Sequence, residues 1–447
     1  MINKISYITK YNRRFVKRIK NLEWIMIFFF FVFSFINNVT LIISFVSLLF
    51  FLYQKEIGAI KILNLIVMRT IINPGIAISL DSLQNIKWVI VFICSFYLIS
   101  GYKKVSLKLK KKLNKVLFAV LLFGSYNMFS SFFFSTLPVV AIFKLISYIV
   151  VFIGVMIGVA NTNDKYNWLD WMYTLMKIIF ITSIPYIGNN IGYLINGHAF
   201  QGITNQPNMF GILAALFIAL IVTRIQLKRF NGRFEPLILI SVMMYMLILS
   251  KSRTGFITAI ITILFFLMFS NINMIKKIMA LNLFGIITVL YALFDGELFN
   301  FFQQFLYKGQ EDILFSRMNQ VNELMYNFLK NPFFGSGFAV PVIPYRSFAF
   351  STEYIVEPGN LLLAVLSYGG IIGFVFFLNY IIQIYISNKE MFKYFMFLPF
   401  TTIMISMGEM VFFSSNNIGI WLYMALSIYI FDGKTRNEYS APPKVNL

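Results

Sequence analysis

The sequence predicts an all-α polytopic membrane protein of about 12–14 transmembrane helices, with one large extracytoplasmic loop that carries an amphipathic helix. Apolar residues make up 59% of the 447 residues and charged residues only 12%, whereas a soluble domain carries about 25% charged residues. Fifty-three Phe residues are spread through long charge-free runs, which indicates lipid as the surrounding solvent. The single Cys94 and the single His198 exclude a disulfide framework and any metal site built from several Cys or His ligands.

The apolar runs define the expected spans, because a transmembrane helix needs about 20 largely apolar residues. The fourteen predicted spans are 22–37, 39–54, 60–80, 86–101, 116–135, 138–160, 171–188, 207–223, 236–250, 255–270, 278–294, 359–386, 394–412 and 418–431. The run 60–80 fits least well, because it contains Lys61, Arg69 and the helix breaker Asn73-Pro74-Gly75. An amphipathic helix lying in the membrane interface is the alternative for this run.

The distribution of Lys and Arg sets the predicted orientation, because cytoplasmic loops are enriched in both residues. Residues 1–21 and residues 102–115 each carry seven basic residues, and placing both segments inside puts both termini in the cytoplasm. Two long loops, 189–206 and 295–358, then fall outside. The predicted segments are a basic N-terminus 1–21, a transmembrane bundle 22–294, an extracytoplasmic loop 295–358, C-terminal transmembrane helices 359–431 and a cytoplasmic tail 432–447.

The formal net charge of +21 is mainly a feature of the cytoplasmic side. Of the 38 Lys and Arg residues, 27 fall in predicted cytoplasmic segments, and a nucleic-acid-binding protein would not place them between apolar spans. Six basic residues lie on the predicted outer side, namely Lys251, Arg253, Lys308, Arg317, Lys330 and Arg346. Positive charge on that side runs against the topology rule, so these six residues need another explanation.

Two of the outer arginines are candidate ligands for a phosphate or pyrophosphate group. Arg253 lies in the polar hinge Ser250–Gly255 between two predicted spans, next to Lys251. Arg317 lies at the edge of an apolar helical stripe in 311–330, which predicts a helix along the membrane surface. A guanidinium group binds phosphate through two parallel hydrogen bonds. The alternative for each arginine is an ordinary interfacial charge that reaches the headgroups.

Two outer residues are candidate proton acceptors. Glu357 lies where the chain re-enters the membrane, and partial desolvation there would raise the pKa of its carboxyl group toward a base's working range. Its alternative role is to cap the next helix or to pair with Arg346. His198 lies in the outer loop 189–206, where a lone His is more often a surface side chain than a catalyst.

Three charged residues inside the predicted spans are expected to face the bundle interior or a water-filled cleft. Lys144 and Glu409 fall toward the outer ends of their spans, and they could pair with each other or line a substrate cavity. Lys177 lies nearer the cytoplasmic end, where its amine can reach the interface. The span after the large loop carries Gly369, Gly370 and Gly373, which allow close approach of a neighbouring helix.

The order of these motifs resembles the bacterial O-antigen polymerase and O-antigen ligase superfamily over about residues 200–385. The motifs are Asn205–Asn208 before a span, Ser252–Gly255 between spans, Ser316-Arg317 in the loop, Asn331-Pro332 leading to Gly335-Ser336-Gly337, and an acidic residue three before Asn360. The family consists of membrane glycosyltransferases that act on undecaprenyl-pyrophosphate-linked sugars. The resemblance therefore implies a bacterial cytoplasmic membrane protein with its site on the outer face.

The resemblance also implies roles for individual residues. Arg253 and Arg317 match the family's outer arginines, which bind pyrophosphate, and we expect Arg346 and Lys251 to add to this binding. Ligases carry His in a His-x-x-Asn or His-Asn pattern where this chain has Glu357–Asn360. This departure weakens the ligase assignment and makes Glu357 the candidate base, with His198 as a second one. The residues expected to line the cavity are Lys144, Glu409, Asn205, Asn208 and Asn360.

The implied reaction is polymerisation of lipid-linked repeat units into a surface polysaccharide, without a metal or another cofactor. The implied partners are undecaprenyl-pyrophosphate-linked oligosaccharides, membrane lipid, a flippase and a chain-length regulator, and no nucleic acid. Three alternatives stay open: ligase-type transfer to another acceptor, a flippase or transporter, and a non-catalytic scaffold. A transporter would be expected to show internal repeats, and none is evident in the sequence.

Overall fold

The protein is a bundle of α-helices, as the sequence predicts. The structure, a computed structural model, describes residues 23–78, 80, 83–195, 197–230, 232, 234–270, 315–340 and 359–433. Within these ranges the chain forms no named strand, and its one β-bridge joins Ile72 to Thr204. The all-α class is therefore confirmed for the part of the chain that the structure describes.

The helices follow the predicted spans closely. In chain order they are α1 (Glu23–Ile36), α2 (Asn38–Leu48), α3 (Glu56–Thr70), α4 (Gln84–Ser100), α5 (Leu107–Phe134), α6 (Pro138–Thr162), α7 (Trp168–Ser183), α8 (Pro207–Gln226), α9 (Phe234–Ser250), α10 (Arg253–Phe269), α11 (Phe315–Lys330), α12 (Leu361–Ser387), α13 (Lys389–Phe395), α14 (Phe397–Gly408) and α15 (Gly419–Phe431). Pro138 and Pro207 begin α6 and α8, because proline suits the first helical position, where no backbone donor is needed.

Several of these helices have the length and composition of membrane spans. Five described helices qualify by themselves: α4 with its 3₁₀ extension to Lys104, α5, α6, α8 and α12. The pair α13 and α14, which is bent by 66°, gives a sixth. Five further apolar helices, α1, α2 (extended to Gln54), α9, α10 and α15, have 10–17 residues. The polytopic membrane class is confirmed, whereas the count of about 12–14 spans stays a prediction. The predicted span 278–294 lies outside the described residues.

Helix α3 is an interior element. Thirteen of its residues are buried, including Lys61 and Arg69. An interfacial amphipathic helix would expose one polar face, so the alternative for the run 60–80 is wrong over α3. The charges are accommodated inside: Lys61 pairs with Glu23 at 2.8 Å, and Arg69 donates to backbone carbonyls.

Helix α12 is interrupted at Gly370, which has φ 61° and ψ −163°. The segment 332–337 crosses this break and bonds to the backbone groups that it leaves without helical partners. Ser336 N donates to Ser367 O at 2.9 Å, Gly337 N to Tyr368 O at 3.1 Å, and Ile371 N to Pro332 O at 2.8 Å. A break in a helix at membrane depth is tolerated when protein groups satisfy its backbone. The break therefore fixes the segment that follows α11 against the bundle.

The predicted amphipathic helix is confirmed as α11. Leu324 and Asn327 are 1% and 8% exposed, and α11 packs beside α12. Met318 and Met325 of the predicted apolar stripe are 37% and 38% exposed. Helix α11 therefore buries one edge against α12 and leaves apolar side chains on its outer surface.

Candidate functional site

The hinge between α9 and α10 forms the centre of the candidate site, and we call this end of the bundle the hinge end. Helix α9 ends at Ser250, and Lys251 adopts a left-handed conformation with φ 52°. Ser252 caps α10, with its hydroxyl oxygen accepting from Gly255 N at 3.4 Å. Arg253 is the first residue of α10 and is partly exposed, and Lys251 is exposed. Two cationic side chains therefore lie beside a helix N-terminus, which carries a partial positive charge.

Helix α8 crosses α10 at the same place. A Cβ atom on Gly255 would overlap the backbone of Gly211, and a Cβ on Gly211 would overlap the side chain of Ser252. Only glycine at both positions allows the two helices to approach this closely. The N-terminal turns of α8 and α10 are therefore adjacent, and both direct backbone N–H groups toward the hinge end.

The C-terminal end of α14 completes this cluster. A Cβ on Gly408 would overlap the side chain of Thr254, so α14 touches the residue next to Arg253. Glu409 follows directly, and its Oε1 accepts a hydrogen bond from Asn208 Nδ2 at 3.2 Å. Asn208 lies in the first turn of α8. We call Arg253, Asn208 and Glu409, with the two helix N-termini, the hinge cluster.

The loop between α7 and α8 packs on the hinge end. Phe200 N donates to Leu249 O at 2.9 Å, which places the exposed His198 on a segment joined to the end of α9. Asn205 N donates to Ile71 O at 2.6 Å. Within the described chain, Asn205 Oδ1 is buried and accepts no hydrogen bond. These contacts place His198 and Asn205 at the same end as Arg253.

Asn73 anchors this loop, a role that the sequence did not reveal. Its Nδ2 donates to Ile191 O at 2.8 Å and to Gly202 O at 3.0 Å. Asn73 N also donates to Ile203 O at 2.8 Å. In the sequence Asn73 stood out only as a helix breaker. Its long-range contacts could not be read from its neighbours in the chain.

Lys144 lines a cavity of about 490 Å³ near the N-terminal end of α6. Its Nζ donates to Ala339 O at 2.9 Å. Glu409 Oε1 accepts from Asn208 Nδ2, and the predicted pairing of Lys144 with Glu409 stays a prediction. The expectation that Lys144 lines a cavity agrees with this geometry.

The remaining candidates divide between described and undescribed parts of the chain. Asn360 caps α12, with its Oδ1 accepting from Leu363 N at 3.1 Å. Arg317 lies in the first turn of α11, and its side chain lies outside the described part of the structure. Arg346 and Glu357 also lie outside the described residues. Their roles stay predictions.

Lys177 belongs to the opposite end of the bundle. Its Nζ contacts Glu235 Oε1 at 2.8 Å, and Tyr173 donates to the same oxygen at 3.1 Å. The amine therefore has a carboxylate near it rather than only the interface that the sequence suggested. Nothing joins Lys177 to the hinge cluster among the contacts described.

A comparison with protein families places this geometry in context. Residues 237–378 match the family model described as O-antigen ligase. The matched region begins in α9, includes the hinge and α11, and ends in α12 beyond its break. No curated protein matches the chain. The family match indicates a glycosyltransferase-like activity on O-antigen-type glycans in a membrane protein. The match over residues 237–378 supports the similarity of this chain to the O-antigen polymerase and ligase superfamily.

Proposed function

We propose that this protein polymerises undecaprenyl-pyrophosphate-linked oligosaccharide repeat units into a surface polysaccharide at the outer face of the bacterial cytoplasmic membrane. The observation that carries the proposal is the hinge cluster, in which Arg253 at the start of α10 lies beside the N-terminus of α8 and the Asn208–Glu409 contact. Of the cluster, Arg253 lies within residues 237–378, which match the family.

The cationic half of the hinge cluster suits the leaving group. In the proposed reaction a hydroxyl of one lipid-linked unit attacks the anomeric carbon of another, and the bond from that carbon to the pyrophosphate oxygen breaks. The pyrophosphate lipid leaves as an anion, so its developing charge must be neutralised. Arg253 and two helix N-termini supply positive charge that needs no rearrangement during the reaction. Preorganised donors of this kind are worth about 10²–10³-fold in rate.

The acidic half of the hinge cluster suits the acceptor. The attacking hydroxyl must lose its proton to a base, and a positioned base contributes about 10²–10⁴-fold. The structure adds Glu409 to the candidate bases Glu357 and His198, because Asn208 orients its carboxyl group. Glu409 also follows Gly408, which touches the residue next to Arg253. We therefore propose Glu409 as the group that accepts the proton.

Ligase-type transfer is the second candidate function, and the description of the matched family as O-antigen ligase favours it. A ligase would use the same cations and base but would transfer a finished glycan to a different acceptor. The two functions differ in the acceptor that must be supplied. A polymerase forms longer chains from lipid-linked repeat units alone.

Substitution of Arg253 in the native host tests the proposal. We expect Arg253→Ala to leave surface polysaccharide of a single repeat unit at unchanged protein level, measured on a sizing gel. Arg317→Ala is expected to act in the same way. The control is Lys228→Ala, which removes an exposed cation beyond the far end of α8 and should leave the chain length unchanged. Long chains in both arginine variants would contradict the proposal, and long chains that stay lipid-linked would favour the ligase.

A further inference from the structure

The lysines around the start of α5 form a surface that the proposed reaction does not use. Residues 102–115 carry seven lysines. Lys104 Nζ contacts Glu56 Oε1 at 2.6 Å, at the first residue of α3. The other end of α3 packs on the loop of the hinge end, where Asn205 N donates to Ile71 O. The lysines therefore lie away from the hinge, at the end that the distribution of Lys and Arg predicts to be cytoplasmic.

These seven lysines divide into two groups by their contacts. Three contact the protein, through an ion pair at 2.6 Å, a tyrosine ring at 4.4 Å and an amide oxygen at 2.8 Å, namely Lys104, Lys110 and Lys112. Of the nearby carboxylates, Glu56 pairs with Lys104, and Glu390 lies near Lys112. The other four are exposed and form no hydrogen bond or ion pair with the described residues, namely Lys103, Lys108, Lys111 and Lys115. We call these four the lysine face.

The spacing of the lysine face along α5 is unfavourable in the absence of an anion. Lys111 and Lys115 are four residues apart, and Lys108 and Lys111 are three residues apart. Side chains at these spacings are neighbours on a helix, and like charges there repel each other. Residues 107–134, which form α5, contain no Asp or Glu to offset the repulsion. An anion bound between the lysines would relieve it.

The lysine face continues into a lipid-facing stripe of the same helix. Residues 116–134 carry no charge and match the about 20 residues that span the hydrocarbon. The preceding turns of α5 are therefore expected at the level of the lipid headgroups. Lys111 and Lys115 share one side of the helix with Phe118 and Phe129, which are 69% and 46% exposed. A molecule with a phosphate group and an acyl chain can contact both parts of this side.

We infer that the lysine face binds an anionic phospholipid of the adjacent membrane leaflet. The phosphate group lies between Lys111 and Lys115, whose amines form charge-assisted hydrogen bonds to its oxygens. Lys103 and Lys108 add to the attraction that an anionic membrane surface exerts on basic residues. The acyl chain lies along Phe118. This inference does not depend on the proposed function.

The informative variant is Lys111→Gln combined with Lys115→Gln, which removes two charges and keeps polar side chains of similar length. The matched control is Lys165→Gln combined with Lys228→Gln. It removes two exposed lysines from the loops after α6 and α8, so the net charge changes by the same amount. Lys111→Arg combined with Lys115→Arg keeps the charge at the lysine face. Equal melting temperatures in detergent show that folded proteins are compared.

Native mass spectrometry of the full chain in non-ionic detergent tests the inference, with phosphatidylglycerol or phosphatidylcholine of the same acyl chains added. We expect the unaltered protein to bind phosphatidylglycerol more tightly than phosphatidylcholine. The glutamine pair at 111 and 115 should bind phosphatidylglycerol about 25-fold more weakly, which is about fivefold for each lysine. The arginine pair and the control pair should bind it as the unaltered protein does.

Three results would overturn the inference. Unaltered affinity of the glutamine pair for phosphatidylglycerol would show that Lys111 and Lys115 do not hold the phosphate. An equal loss of affinity in the control pair would show that net charge, rather than the lysine face, attracts the lipid. Equal affinities of the unaltered protein for the two lipids would exclude an anionic phospholipid and favour an acidic protein as the partner. The proposed function is judged separately, by the chain length that Arg253→Ala produces.

Discussion

Charged side chains have different partners at the two ends of the bundle. Six ion pairs between described residues lie at the end opposite the hinge, which we call the Lys61 end. These pairs are Lys61–Glu23, Lys104–Glu56, Lys177–Glu235, Arg224–Asp170, Arg229–Asp170 and Arg229–Asp432. At the hinge end, Lys144 donates to the carbonyl of Ala339, and Arg69 donates to the carbonyls of Ser34 and Ile78.

A carboxylate partner and a carbonyl partner have different electrostatic effects on a cationic side chain. A carboxylate cancels the formal charge of its cation, whereas a carbonyl satisfies the hydrogen-bond donors and leaves the net charge in place. The paired cations of the Lys61 end therefore have carboxylates close to them, whereas Arg69 at the hinge end bonds to two backbone carbonyls.

The largest expected effect on stability is at the Lys61 end. Glu23 and Lys61 have side chains that are 5% and 1% exposed, and Trp171 and Tyr166 both donate to Glu23 Oε1. Glu23→Ala leaves a buried lysine without its carboxylate, which costs about 3–5 kcal/mol of unfolding free energy. Thermal unfolding in detergent measures the loss. The double variant Glu23→Leu with Lys61→Met should recover most of it, and a stable single variant would contradict the structural role of the pair.

The largest expected effect on the reaction rate is at Glu409. Glu409→Gln keeps an oxygen that can accept from Asn208 Nδ2 but removes the basic carboxylate. We expect turnover to fall about 10²–10⁴-fold, as for loss of a general base. The control Asn208→Ala should fall less, because it removes an orienting contact only. Near-normal turnover of Glu409→Gln would assign the proton to Glu357 or His198 instead.

A moderate effect is expected where the segment after α11 crosses the break in α12. Gly335 has φ 73°, and a Cβ there would overlap the backbone carbonyl of Tyr368. Gly335→Ala should destabilise this segment by about 1–3 kcal/mol. Faster proteolysis near residues 331–340, with little change in the melting temperature of the bundle, would show it. Gly433→Ala is the control, since no atom lies within 4 Å of a Cβ at that position.

The smallest effect is expected at the half-exposed pair of the Lys61 end. Lys177 and Glu235 have side chains that are 32% and 45% exposed. Solvent screens such a pair, so Lys177→Ala should change the unfolding free energy by about 0–1 kcal/mol. It should leave polymer length unchanged. A large loss of polymer in Lys177→Ala would show that charge at the Lys61 end also acts in the reaction. That result would contradict the assignment of the reaction to the hinge end.

The sequence predicts the helices well because apolar runs of spanning length carry a strong local signal. Predicted spans 138–160 and 207–223 correspond to α6 and α8, each of which begins at a proline. Arg253, Lys144 and Glu409 were also recognised locally, as charges at outer ends of spans. What the sequence could not predict is how these residues meet. Asn208 and Glu409 are 201 positions apart, and their contact follows from packing of α8 against α14.

The break in α12 is a backbone feature that the sequence also could not predict. The glycines of this helix predicted close approach of a neighbour, and Cβ atoms on Gly369 and Gly373 would indeed lie 3.0 and 3.1 Å from side-chain atoms of α5. Gly370 has a different role, because its positive φ interrupts the helix. The bonds that compensate for this break come from the backbone of 332–337. Backbone bonds between distant segments leave little trace in side-chain patterns.

The most direct test of the central claim is turnover by the purified protein in nanodiscs, with one synthetic undecaprenyl-pyrophosphate-linked repeat unit as the sole substrate. We expect the unaltered protein to form a ladder of longer lipid-linked chains and to release one pyrophosphate lipid for each bond formed. Arg253→Ala should slow both by about 10²–10³-fold, because the leaving pyrophosphate loses its cation. A ladder formed at the unaltered rate by Arg253→Ala, or no ladder from the unaltered protein, would contradict the account.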